Sequence, residues 1–248
     1  MKYPKPILKN KTASICACAK NVAEYLPLSI SKIEMIASVF QEVKIFIFEN
    51  DSTDDTLCIL KDWSKKNKLV EVISENNIPL KSTKSWYKRV ETLAYARNKL
   101  LEKTHEYNPD YYIVIDLDEV ISGLTLDGFL SSFSLDFEWS MIGANQTDYY
   151  YDLWPLRTFD EWMNYDCWEE CVPKHGYEKC IESKKRNIPI DSDPIEVLSC
   201  FGGLGIYKHA HTANCTYRRH TTEHLYFHKQ MREKHNARFF INPKMIGY

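Results

Sequence analysis

The stretch 111-YYIVIDLDEV-120 decides the architecture. Tyr111 to Ile115 is an apolar run of the length of a buried strand, and it closes on Asp116. Side chains two apart on an extended chain share a face, so Asp116 and Asp118 project together from the strand's tip, on either side of Leu117. Carboxylates that close repel each other unless a cation sits beside them.

Upstream, strand and helix signals alternate. Ser14 to Ala19 is a short strand-type run, Ile45 to Phe48 a buried strand running into Glu49–Asp51, and Leu69 to Asn76 a third. Between them lies a helical stretch with Leu28, Ile33, Ile36 and Val39 or Phe40 on one face and Pro27 in its first turn. A second helix follows through 56-TLCILKDWSKK-66, with Ser52 or Thr53 as its cap. A third is expected from about Arg89 to Lys103. This alternation predicts an α/β fold with a mostly parallel, Rossmann-like central sheet. Ligands of such sheets bind outside the carboxyl ends of the strands. Those ends are Asn21, Glu49 to Asp51, Asn76 and Asp116 to Asp118, polar or acidic every time.

From Trp139 onward the chain is rich in aromatics and loops, with strands expected at 140-SMIGANQ-146 and 201-FGGLGIYK-208 and a helix from about Glu223 to Lys234. Gly202, Gly203 and Gly205 are no phosphate loop, because no helix signal follows; they allow close passage of backbone. The expected organisation is one domain over 1–248, with a nucleotide-binding half (about 12–122) and an acceptor-binding half (about 123–248).

The 248 residues are 44% hydrophobic and carry a net charge of −2, so no face is built to hold nucleic acid by charge. No run approaches the roughly 20 apolar residues of a membrane span, and 1-MKYPKPILKNKT-12 lacks a signal peptide's apolar core. A soluble, cytoplasmic protein is expected. Cys16, Cys18, Cys58 and Cys200 sit in apolar runs as core thiols. Cys167, Cys171, His175 and Cys180 match no common zinc knuckle, and separate free thiols are expected there.

Oxygen ligands with a diphosphate as partner suit Mn2+ or Mg2+ rather than zinc. The ordered set SICACAKNVAEYL, FIFENDSTDDT, LAYARNKLL, YYIVIDLDEV and a late EHLYFH resembles the GT-A-fold glycosyltransferases, over roughly residues 12 to 243. More narrowly, with YYYDLWPLR and FGGLGIYK, it is similar to the small viral and fungal transferases related to the capsule-associated mannosyltransferases. The resemblance implies a metal-dependent transfer of sugar from a nucleoside-diphosphate donor, UDP favoured over GDP, to a glycan or other hydroxyl acceptor, and a virus-encoded enzyme of the host cytoplasm. It implies that Asn21, Glu49 and Asp51 line the nucleotide pocket and that Arg97 reaches Asp116 or the diphosphate. Asp116 and Asp118 would hold the metal with His224 completing its shell, His228 being the competitor one turn on. Asp152 and Arg157 would contact substrate. A general base for inversion would be Asp152, Glu170 or Asp193.

Two rival readings remain. An apolar strand ending in D-x-D also resembles the first motif of haloacid-dehalogenase phosphatases, although that motif opens its domain. A sugar- or nucleotide-binding module without turnover is the other.

Overall fold

A computed structural model describes residues 8–78, 80, 85–219 and 221–248. Its frame is one eight-stranded sheet built from β1 (Thr12–Ala19), β2 (Glu42–Glu49), β3 (Val70–Ser74), β4 (Tyr111–Ile115), β5 (Met141–Asn145), β6 (Ile195–Val197), β7 (Leu204–Lys208) and β8 (Phe239–Ile246). The spatial order is β3-β2-β1-β4-β7-β5-β8-β6. The first four strands pair in parallel, and β4 meets β7 in antiparallel register, Val114 opposite Gly205. The strand order reverses between β1 and β4, where a doubly wound sheet opens its crevice.

The period of two along β1 sorts its side chains. Ala13, Ile15, Ala17 and Ala19 join one core with α1 (Leu26–Ala37) and α2 (Thr56–Lys66) through Leu26, Ile33, Leu60 and Trp63. Cys16 faces the other core, with Phe46, Phe48, Tyr112 and the α3 (Ser85–Tyr107) residues Ala96 and Leu100. A buried Ser14–Thr104 hydroxyl pair at 2.9 Å closes that face polar to polar. Remaining helices are short, α4 (Leu126–Ser131), α5 (Val172–His175) and α6 (Tyr177–Cys180), except α7 (Glu223–His235).

Four expectations need correction. Ser52 and Thr53 do not cap α2, which starts after Asp55 with no side-chain cap. Their groups instead bind Asn21 and Glu49. α3 begins at Ser85, a full turn before Arg89. β6 and β8 were not foreseen; β8 carries Pro243 in its middle and β6 is three residues long. Finally, Cys171 and Cys180 are not free thiols. They form a disulfide with Cα atoms 5.7 Å apart. Gly176, at φ +81°, turns α5 back onto α6 and brings the two sulfurs together. Cys16, Cys18, Cys58, Cys167, Cys200 and Cys215 are free. Among the described residues no helix is long and apolar enough to cross a membrane.

Candidate active site

Asp116 lies just past β4, and its N–H donates to the carbonyl of Gly203 at 2.8 Å. The neighbouring Gly202 N–H donates to Oδ2 of Asp152 at 2.7 Å. The Gly202–Gly203 corner thus draws Asp116 and Asp152 together, and only glycine fits it. Both residues have positive φ, and a Cβ on Gly202 would sit 2.3 Å from the Ala144 carbonyl.

Arg97, buried on α3, donates from Nη2 to Asp116 at 3.3 Å and from Nε to Glu223 at 3.1 Å. Its Nη1 is buried with no partner. Glu223 opens α7, whose N-cap Thr222 accepts the Leu225 N–H. Its carboxylate also lies 3.5 Å from Nε2 of His224. The chain of contacts runs His224–Glu223–Arg97–Asp116. Phe201 supports it from beneath, stacked on His224 at 4.2 Å and lying 5.1 Å from the Arg97 guanidinium.

Negative charge exceeds positive here. Burial pushes Asp116 up to about 6 against the pull of Arg97, and Asp118 and Glu223 add to the rise. The Asp116 carboxylate still keeps 38% of its surface open. Burial pushes Asp152 up to about 7, opposed by the Gly202 N–H and reinforced by Asp116 and Glu223. Asp118 is exposed and accepts the Val120 N–H at 3.4 Å through one oxygen. His224 and His228 differ sharply. His228 is held by Ser199 at 2.7 Å and Tyr207 at 2.9 Å, so it is structural. Neither ring nitrogen of His224 has a hydrogen-bond partner, and burial, with Arg97 and His228 nearby, drives its pKa far down, leaving it neutral.

Among the described residues no group of three or more His, Cys, Asp or Glu is gathered as a ready metal site. Mn2+ and Mg2+ do not require one, since they are held by one or two carboxylates together with substrate phosphates. The donor chemistry fits: mutually repelling carboxylates beside a bare, neutral imidazole.

Other expected residues have different employment. Glu49 accepts the Ser52 N–H at 3.0 Å and the Ser74 hydroxyl at 2.7 Å. Asn21 accepts the Thr53 N–H at 2.7 Å, and Asp51 the Asn77 N–H at 3.0 Å. All three stand at the carboxyl ends of β1 and β2, with Asn21 and Asp51 in the left-handed region. Arg157 is a strut: Nη1 binds the Trp154 and Leu156 carbonyls, and Nη2 reaches Asp166 at 3.3 Å. Glu170 is exposed on the Cys167–Cys171 turn, with the Asp166 N–H 3.5 Å from its carboxylate. Asp193 is exposed just before β6, four strand positions from β4 and therefore roughly 19 Å across the sheet. Of the three candidate bases, only Asp152 adjoins the acid cluster. Glu223 was missed; the late Glu-His dipeptide behind a Thr cap was its only signal.

The sequence matches the family model described as Cryptococcal mannosyltransferase 1 over residues 14–236. The chain belongs to that family. That family is one of glycosyltransferases, and the fold of this chain is the GT-A fold. Among solved structures, the mannosyltransferase PcManGT from Pyrobaculum calidifontis, in complex with GDP-Man and Mn2+, is similar at TM-score 0.54 and 10% identity, over 96% of this chain and 56% of that one. S. aureus TarS 1-349 is similar at TM-score 0.53 and 12% identity, over 93% and 57%. The same TarS fragment in complex with UDP-GlcNAc gives 0.52 and 12%, over 93% and 55%. The chain thus spans just over half the length of these structures, and at such identity the likeness is one of fold. Comparison with curated proteins finds no match. The phosphatase reading fails because the acidic strand is the fourth in chain order rather than the one that opens the domain, it pairs antiparallel with β7, and the family match is to mannosyltransferases.

Proposed function

We propose that this protein transfers a sugar, mannose by the family's name, from a nucleoside-diphosphate donor to a hydroxyl of a glycan acceptor, with Mn2+ or Mg2+ held by Asp116, Asp118 and His224. The observation that carries the reading is the charge imbalance at the β4 tip. Asp116 and Glu223 share one guanidinium, Asp118 and Asp152 add their charges to Asp116, and an imidazole without a hydrogen-bond partner lies beside them. A cation held by these residues would supply positive charge that neutralises the diphosphate as it leaves.

The chain's own residues supply the rest. Arg97 stays charged and presents its free Nη1 as a donor for a phosphate oxygen. Asn21, Glu49 and Asp51 shape the pocket for base and ribose at the ends of β1 and β2. With its pKa near 7, Asp152 is poised to take the proton of the acceptor hydroxyl if the anomeric centre inverts. The sequence reading favours uridine as the base, whereas the family's name and the GDP-Man complex of PcManGT support guanosine. A panel of UDP- and GDP-sugars assayed for nucleotide release, with and without Mn2+, separates the two. Nucleotide release indifferent to chelator would sink the metal assignment. No release from any donor would sink the transferase reading.

A further inference from the structure

Trp86 and Tyr87, on the first turn of α3, face Trp168, Glu169 and Pro173 across a cavity of about 600 Å3. That is the size of a ligand site. Trp86 stacks on Trp154 at 4.3 Å and meets Trp168 edge-on at 5.9 Å, and Trp168 packs on Tyr177 at 5.6 Å. The rings form a row in which Trp86 is 40% and Tyr177 45% exposed, while Trp154 and Trp168 are half-buried against the core. Leaving an indole in water forgoes a large burial gain, so the open Trp86 ring, anchored on half-buried neighbours beside a cavity, marks a surface suited to being covered.

The polar groups along the row narrow the ligand. The Glu169 carboxylate and the Tyr87 hydroxyl meet at 3.3 Å on the cavity wall. The indole N–H of Trp154 is buried with no partner. A flat apolar face edged by hydroxyl-binding groups is what a pyranose ring requires, its C–H face against the rings and its hydroxyls on acceptor and donor. The carboxylate is offset by the Arg219 guanidinium over the Tyr87 ring at 4.8 Å, so the wall shows a ligand no single sign of charge and suits a neutral one.

The row also joins the acid cluster. Trp154 follows Asp152 by two residues, and the hydroxyl of Tyr151, just before Asp152, feels Asp152, Asp116 and Asp118. α3 carries Arg97 eleven residues after Trp86, a helix rise of roughly 16 Å. The distance exceeds one sugar ring. Trp168 and Tyr177 are held in place by the Cys171–Cys180 bridge, which ties the turn bearing one to the helix bearing the other.

We infer that this aromatic groove is the acceptor subsite and that its ligand is an extended neutral oligosaccharide, whose end reaches Asp152. The inference rests on the transferase reading, yet its test does not need turnover. Saturation-transfer NMR is run on the full chain, without donor, using α-manno-, β-gluco- and N-acetylglucosamine tetrasaccharides and the matching monosaccharides. At least one tetrasaccharide should bind, at least about tenfold tighter than its monosaccharide. Trp86→Ala should weaken that binding about tenfold while the melting temperature stays within a few degrees. The double variant Cys171→Ser/Cys180→Ser should weaken it in the same direction. Absence of binding by all three tetrasaccharides overturns the inference. So does unchanged affinity in Trp86→Ala, or equal affinity for the monosaccharide. Nucleotide release by the wild-type chain reports separately on the transferase reading.

Discussion

The carboxyl ends of β1 and β2 and the tip of β4 are both polar, but they spend their polarity differently. At the first, Asn21, Glu49 and Asp51 have oxygens engaged by N–H groups of adjoining loops. At the second, Arg97 Nη1 and both His224 nitrogens are buried without partners, and Asp116 and Asp152 hold protons well above the ordinary carboxylate range. A satisfied polar group fixes the shape of a loop. An unsatisfied one is stabilised only by something that arrives later. The first region is a mould; the second is a charge deficit awaiting a cation and phosphates.

The largest effect expected from this contrast comes at Asp118. Asp118→Ala should reduce kcat/KM by about a thousandfold, since an electrostatic contact to the transition state is lost, with the circular-dichroism spectrum unchanged. Turnover close to wild type would end the metal assignment at the β4 tip.

The two histidines of α7 sharpen the comparison within one helical turn. His228→Ala strands the Ser199 and Tyr207 hydroxyls in the core and should cost about 3 kcal/mol in denaturant unfolding. His224→Ala strands no hydrogen-bond partner. It should leave stability within about 1 kcal/mol while weakening Mn2+ binding, followed by spin resonance in the presence of nucleoside diphosphate, by about 10- to 100-fold. If both variants lost stability alike and Mn2+ affinity stayed put, His224 would be a packing residue.

The strands of the mould were legible beforehand, and most residues of the deficit were named too, through the acidic pair and the family resemblance; the contacts that join them were less so. Apolar runs such as Ile45–Phe48 and Tyr111–Ile115 announce buried strands because a strand covered on both faces needs no polar side chain. Their polar ends then follow in sequence. Arg97 meets Asp116 as the resemblance implied, but nothing local says that it would also take Glu223, or that Gly202 would hand an N–H to Asp152 fifty residues away. Arg157 is a different case. It stands in a motif stretch, yet its Nη groups are consumed by nearby carbonyls and Asp166, contacts that only the folded loop creates. The Cys171–Cys180 bridge was misread for the same reason, since the reversal at Gly176 that makes it possible is a backbone event.

The smallest effect concerns protons. Asp152, ordinarily near 3.8, is raised to about 7, so its proton stabilises the fold fully below about pH 3.8 and that contribution is lost as pH rises through about 7. Buried histidines titrate in the opposite sense: His228, depressed to about 3, costs stability as pH falls below the usual histidine value. A raw melting curve therefore mixes the two, and the informative quantity is the difference between wild type and Asp152→Asn. In metal-free protein that difference should favour wild type more at pH 5.5 than at pH 8, by about 1 kcal/mol after allowance for solvent screening, or about 2–4 °C in melting temperature. With Mn2+ and nucleoside diphosphate present the metal-stabilised form competes with those protons, so the ligand-induced thermal shift should grow from pH 5.5 to pH 8. A wild-type-minus-variant difference that is flat across this range would mean Asp152 is an ordinary ionised carboxylate. The crowding of acids at the β4 tip would then be too weak to call for a cation.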